Sequence, residues 1–364
     1  MTDLQCGPTN SLTDVAGIRV GHADRRVGGW LSGTTVILAP ERGAVGGVDV
    51  RGGGPGTRET DVLDPRNLVD RIHAVALSGG SAFGLAAADG VMQRLFKAGV
   101  GYPVGGLGEV VPVVPAAVIF DLGRGGDFTK RPGAAMGEEA YDAAISSPAG
   151  PVPIGVVGAG TGATAGGLKG AVGSASVVLA DGTTVAALVV VNSLGSCLDP
   201  ATGELYAARF GLPGEFTWLL LPDPDEIAAS REAANAKGAP GRLGPALATT
   251  IGVVATDVTL TKAQCAKVAG IAHDGMARAI RPAHTMFDGD TVFALATGDR
   301  GAPGLSAFHD LLDAGGDCFT RAIGNAILAA ESVETPAGRW RSYREAFPSA
   351  FPATKPNSSA SALV

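Results

Sequence analysis

Three stretches leave this chain little choice of architecture. SASVVLA (174–180), TVAALVVVN (184–192) and TTIGVVATD (249–257) are apolar at nearly every position and not at every second one. A strand with two apolar faces has to be covered on both, since a bare face would hold its side chains in water. Further β-type runs are GIRVGH (17–22), GTTVILA (33–39), HAVALS (73–78), AAVIFDL (116–122), VPIGVVG (152–158) and DTVFALATG (290–298). Apolar residues at helical spacing occur in 81–99, 136–147, 223–237, 262–280 and 317–334, and Thr261 followed by Gln264 reads as a capping box for the fourth of these. The helices are too few for one between each pair of strands. The pattern therefore predicts layered α/β sheets, a helix/sheet/sheet/helix sandwich in place of a regular βαβ alternation.

Composition narrows the function classes. The chain has 364 residues, 46% of them hydrophobic, enough for a large core. Its 55 glycines are spread among the apolar runs, which implies close backbone approaches and tight turns. A formal charge of -7 leaves no basic field for a phosphate backbone, so no nucleic-acid partner is expected. The cysteines Cys6, Cys197, Cys265 and Cys318 lack CxxC spacing, against both a zinc ribbon and a disulfide framework. The start, MTDLQCGPTNSLTD, has neither a basic nor an apolar targeting region, and no apolar run is long enough to span a bilayer; a cytoplasmic chain without a membrane partner is expected. AKGAPGRLGPALA (236–248) reads as an exposed linker inside the fold, and ATKPNSSASALV (353–364) as a disordered tail after a single domain, 1–352.

Several motifs invite familiar chemistry and fail on context. GVVGAGTGATAGGLKG (155–170) places Gly158, Gly160 and Ala163 in a dinucleotide-type pattern, with Asp181 at the end of a later strand. The pattern needs a helix directly after it, and TAGGLKGAVG is a poor helix. Lys169 is not followed by Ser or Thr as a Walker loop demands, and Ser81 in GGSAFG lacks the second glycine of a nucleophile elbow. His284 with Asp288 and Asp290 offers three ligands in one short stretch without a partner cluster, and a DG turn entering a strand is the simpler reading. No metal and no other cofactor is expected.

The junction between the 236–248 linker and TTIGVVATD carries a different possibility. A threonine hydroxyl is a weak nucleophile that needs an adjacent base, and a free α-amine, with a reference pKa of roughly 7.7 to 8.0, can be that base. Scission of the Ala248–Thr249 bond would give one residue both groups. On pattern alone, a threonine pair at a strand start is β-propensity.

GAGTGATAGGLKGAVGSAS, ALVVVNSLG, ATTIGVVATD and IRPAHTMFDGDTVFALATG, in this order, resemble the DmpA family of self-processing aminopeptidases and its nylon-oligomer hydrolase branch. TDVAGIRVGHA, GTTVILA, DVRGGGPGTRETD and ALSGGSAFGLAAADGV extend the likeness over about residues 11 to 330. The resemblance implies a four-layer α/β/β/α sandwich of the kind shared with ornithine acetyltransferases. It also implies self-cleavage into 1–248 and 249–364, a small peptide or amide substrate, and assembly of the processed pairs into a homo-oligomer, often a tetramer. Carried over residue by residue, it makes Thr249 the nucleophile and Lys169 the lysine that biases proton transfer near it. Asn192 becomes the side-chain amide that holds the oxyanion, and Asp288 and Asp290 the acids that orient Thr249. Two positions depart from the family pattern: Ala248 stands where relatives often have Asn or Gly, and Phe120 where the nylon-hydrolase branch has a tyrosine near the substrate. The rival readings are an acyltransferase of the ornithine acetyltransferase type, a nucleotide-binding module using GAGTGA, and a non-catalytic assembly protein.

Overall fold

A computed structural model describes residues 4–147, 150–236 and 247–352. Most of the proposed linker (237–246) and the proposed tail (353–364) lie outside the described residues. The strands that form the two main sheets are β1 (Arg19–Arg25), β2 (Ser32–Leu38), β3 (Ala44–Val50), β4 (Thr57–Arg58), β5 (Arg71–Ile72), β6 (Ala74–Ser78), β7 (Ala116–Val118), β8 (Val172–Val178), β9 (Thr184–Val190), β10 (Ile251–Val258) and β11 (Thr291–Arg300). One sheet has the order β1-β2-β6-β7-β4 and the other β8-β9-β10-β11-β3-β5. In the second sheet β10 and β11 run parallel, while β9 is antiparallel to β10 and β3 antiparallel to β11. The longer helices are α1 (Ala87–Lys97), α2 (Ala134–Ser146), α3 (Pro224–Ala236), α4 (Lys262–Ala279) and α5 (Leu305–Ala329).

Three cores separate four layers, as the apolar runs require. Ile37, Val75 and Leu77 from the first sheet share a core with Leu188, Ile251, Val253 and Phe293 from the second. On the outer face of the second sheet, Val189, Val254, Val292 and Ala294 pack with Val268 of α4 and Phe319 and Ile323 of α5. On the outer face of the first, Val36, Leu38 and Ala76 pack with Val91 of α1 and Met136 and Ala140 of α2. Ile251, Val253 and Val254 thus belong to one strand and two cores, the period of two expected of a pleat buried on both faces. The glycines within strands let helices approach closely. A Cβ on Gly21 in β1 would lie 2.2 Å from the Ala140 carbonyl oxygen of α2, and one on Gly173 in β8 would lie 2.0 Å from that of Ala322 in α5.

The local expectations fare unevenly. The Thr261–Gln264 capping box is present, and the α4 helix it starts runs from Lys262 to Ala279. The helix read from 81 opens with a 3₁₀ turn, Ser81–Ala86, before α1. The helix read from 317 begins at Leu305, twelve residues earlier. AAVIFDL yields a strand only over Ala116–Val118, and VPIGVVG yields none beyond a single bridge from Gly155 to Val172. GAGTGA forms a 3₁₀ turn, Gly158–Gly160, followed by a hairpin of Thr164–Ala165 with Leu168–Lys169. No helix receives a pyrophosphate there, so the segment lacks the geometry of a dinucleotide turn. Among the described residues, no helix is long and apolar enough to cross a membrane.

Candidate active site at the start of a central strand

Strand register assembles the junction from both sides. The β9–β10 pairing sets Val190 opposite Ile251, and continuing that antiparallel register brings Asn192 opposite Thr249. The Thr249 N–H donates to the Asn192 carbonyl at 2.6 Å. The parallel β10–β11 pairing sets Ile251 beside Thr291, and its extension brings the Asp288–Asp290 turn alongside residues 248–250, with Ala248 bridged to Asp288. Thr249 and Ala248 are 5% and 7% exposed, so the hydroxyl and the peptide bond before it are largely buried at the end of a strand. The Thr249 hydroxyl donates to the carbonyl of Ala248, and the Gly289 N–H donates to the same oxygen at 3.1 Å.

The other side chains singled out in the sequence divide into near and supporting groups. Asp290 accepts the Thr250 N–H at 2.7 Å through Oδ1. Its Oδ2 accepts the His284 main-chain N–H at 3.0 Å and lies 2.8 Å from His284 Nδ1. Asp288 accepts from the Thr285 N–H and hydroxyl at 3.0 and 2.6 Å, which holds the turn closed on itself. Asp288 thus accepts hydrogen bonds from the turn and Asp290 from both the turn and the Thr250 N–H, while His284 Nε2 is buried without a hydrogen-bond partner.

Asn192 is held in one orientation. Its Oδ1 accepts the Arg124 guanidinium at 2.6 Å and the Thr164 N–H at 3.0 Å, so the amide NH₂ points the other way, toward the Phe120 carbonyl at 3.4 Å. Arg124, 8% exposed, also donates to the Gly162 carbonyl at 2.6 Å. It was not singled out in the sequence, and no spacing signal could have found it, because its partner lies 68 residues away.

Lys169 is fully buried and donates to three carbonyls, those of Gly160, Ala163 and Gly170, at 3.0, 2.8 and 2.6 Å. All three ammonium hydrogens go to the glycine-rich loop, and they tie down the stretch that carries the Gly162 carbonyl and the Thr164 N–H. Burial, with the charges of Arg124 and Arg26 added, pushes its pKa well below the ordinary lysine range, and Asp121 pulls the other way. Asp121 is itself pushed up by burial, against the Gly80 N–H, Arg124 and the Ser32 hydroxyl, which favour its charged form. A pocket of about 170 Å³ opens beside the junction, lined by Pro55, Ser81, Phe120, Leu247, Thr249 and Phe287 among others. Phe120 thus lines the same space as Thr249, and its side chain carries no hydroxyl.

Comparison with known proteins bears on the family and the fold. The model of peptidase family S58 matches residues 10–341. An uncharacterized aminopeptidase of Mycobacterium leprae is 50% identical, over 96% of this chain and 98% of its own length. A 6-aminohexanoate-oligomer endohydrolase of a Kocuria species is 31% identical, over 80% of this chain and 76% of its own. Among solved structures, the L-aminopeptidase D-Ala-esterase/amidase of Ochrobactrum anthropi, described as a variant of the Ntn hydrolase fold, superposes with a TM-score of 0.69. At 21% identity, over 93% of this chain and 92% of that one, the likeness speaks for the fold.

Proposed function

Because the chain belongs to peptidase family S58, we propose that it is a self-processing hydrolase of amide bonds whose nucleophile is Thr249. The observation that supports this most is the Thr249 hydroxyl placed on the carbonyl of its own preceding residue, inside a strand register that surrounds it with Asn192 and the 288–290 turn.

In self-cleavage the Thr249 oxygen bonds to the Ala248 carbonyl carbon. The carbon–nitrogen bond then breaks, and the proton lost by the hydroxyl ends on the Thr249 nitrogen, leaving an ester and a free amine. Water adds to the ester, the hydroxyl leaves with a proton, and the larger chain, 1–248, ends in the Ala248 carboxylate. In turnover the α-amine of Thr249 takes the hydroxyl proton as the oxygen attacks a substrate amide, then passes it to the leaving amine; water releases the acyl group from the ester. The Asn192 NH₂, aimed by Arg124, is a donor for the charge that develops on the substrate oxygen. Asp290, through the Thr250 N–H, holds the first peptide of the smaller chain, 249–364, in place. Lys169 acts through the loop it pins.

The substrate class is a small peptide or related amide, with Phe120 beside the acyl pocket. The relatives' names, an aminopeptidase and an oligomer endohydrolase, favour that class. We further place the processed pairs in a cytoplasmic homo-oligomer, a tetramer of pairs. Intact-mass measurement followed by N-terminal sequencing tests the reading at its root. A second chain beginning at Thr249 is expected, and an active protein that remains a single intact chain would falsify it.

A further inference from the structure

Self-cleavage and substrate turnover pass through the same kind of covalent species, an acyl group esterified to the Thr249 oxygen. If Thr249 is the nucleophile, as this inference assumes, the first acyl group the site ever holds is the chain's own, ending in Ala248. The contacts made by Ala248 in the intact chain are therefore contacts of the acyl side.

Those contacts come from one turn. The Ala248 N–H donates to the Phe287 carbonyl at 3.0 Å, and the Ala248 carbonyl accepts the Gly289 N–H at 3.1 Å. The seat is rigid: the Gly54 N–H donates to the Asp288 carbonyl at 2.9 Å, and the Asp288 carboxylate is tied to Thr285. It also requires glycine at 289, where a Cβ would lie 2.7 Å from the Gly54 carbonyl oxygen and 2.8 Å from the Thr249 hydroxyl. The Asn192 amide is turned toward the Phe120 carbonyl and not toward that of Ala248. Leu247, the residue before the seat, is 42% exposed.

We propose that the Phe287–Gly289 turn reads the acyl residue of substrates. The Gly289 N–H receives the reacting carbonyl oxygen, first in self-cleavage and then in turnover, where the Asn192 NH₂ joins it as a second donor, and the Phe287 carbonyl receives an N–H of the acyl residue. The site consequently accepts an acyl residue whose nitrogen continues into further chain, and not only one with a free amine. Scission vacates both groups of the turn for an incoming chain, which adds to them in the manner of a short parallel strand.

The test uses the processed wild-type protein and two anilides. Acetyl-Leu-Ala p-nitroanilide copies residues 247–248; its counterpart carries N-methylalanine and has no N–H for Phe287. Turnover of the first is expected, with kcat/KM at least about tenfold lower for the second, the effect of one lost buried hydrogen bond. Failure to hydrolyse the first, or equal rates for both, overturns the proposal. If either happens while Thr249 is the new N-terminus and alanine p-nitroanilide is turned over, the nucleophile assignment stands and the turn's role falls. In a second arm, Gly289→Ala is compared with wild type by intact mass, with folding followed by circular dichroism. A folded variant is expected to cleave itself at least tenfold more slowly. A folded variant that processes at the wild-type rate overturns the proposal, and if the variant does not fold, the anilide pair decides.

Discussion

Arg124 donates to the side-chain oxygen of Asn192 at 2.6 Å, and together with the Thr164 N–H on the same atom it turns the amide NH₂ toward the Phe120 carbonyl. Asn192→Asp keeps an acceptor for Arg124 and Thr164 but removes both amide hydrogens. The expected result is a folded protein with kcat lower by about 100-fold and KM little changed, the size of effect seen when one oxyanion donor is lost. Steady-state kinetics on any turned-over anilide, beside a thermal melt, reads both quantities.

Thr249→Ala should remain one chain of unchanged fold and show no turnover, because it lacks the hydroxyl that both reactions require. Thr249→Ser keeps hydroxyl and amine, and should still cleave. A denaturing gel separates these outcomes, and cleavage of the alanine variant at 248/249 would remove Thr249 from the mechanism.

Two buried lysines use the same device at different places, which makes a controlled comparison. Lys262 donates to the carbonyls of Val62, Asn67 and Val69 at 3.0, 2.9 and 3.0 Å, while Lys169 serves Gly160, Ala163 and Gly170. Replacing either by Met leaves buried carbonyls without donors and should cost on the order of 2 to 4 kcal/mol. Only Lys169→Met should also slow processing by more than tenfold, since only that loop carries the Gly162 carbonyl and Thr164 N–H that position Arg124 and Asn192. Equal processing by the two variants at matched temperatures below their melts contradicts the assigned role.

His284 stands in the left-handed region, φ +59, and both its main-chain N–H and its ring engage Asp290. Asparagine tolerates that conformation and offers an amide donor; valine does neither. His284→Asn is expected to keep processing within about tenfold of wild type, and His284→Val to lose more than that together with stability. Time courses of cleavage during refolding give the ranking.

Acid should unfold the protein through two histidines. Burial pulls His22 and His273 down to about 4, and His22 Nε2 and His273 Nδ1 are sealed without a hydrogen-bond partner. Both rings are neutral in the fold, so between pH 6.5 and 4 the unfolded chain binds protons that the folded chain does not, and stability falls as pH falls. The loss is on the order of 3 kcal/mol for each ring by pH 4, opposed in part by Asp121, whose raised pKa works in the other direction. Urea midpoints at pH 7 and pH 4.5 measure the slope, and His22→Gln should make it shallower.

What could be read in advance follows from the range of the forces involved. The runs that became β8, β9, β10 and β11 announced themselves because each strand buries both faces, which is a property of the strand alone. β3 was missed because AVGGVDV dilutes its apolar pattern with two glycines, one of which, Gly47, admits α4 so closely that a Cβ would lie 2.3 Å from the Ala266 nitrogen. The first half of α5 was missed for the same reason. Gly315 and Gly316 look like a helix stop, yet a Cβ on Gly275 of α4 would lie 2.2 Å from the Gly316 carbonyl oxygen, so the pair sits where two helices nearly touch. Thr249, Asn192, Lys169, Asp288 and Asp290 entered through family likeness; Arg124 emerged only when the fold brought it beside Asn192, 68 residues away, while His284, read in the sequence as a possible ligand beside Asp290, turned out to be its hydrogen-bond partner.

The strand order has a consequence for what a break before Thr249 can do. β10 and β11 lie on the far side of the break, and they are flanked by β9 and β3 from the near side. The two products therefore alternate across one hydrogen-bonded sheet, like fingers of two clasped hands. Neither can diffuse away without tearing the sheet's interior. The break changes the chemistry of one residue while the molecule's lifetime is still set by global unfolding, and a mixture of two separately made pieces would have to fold together to reach the same state.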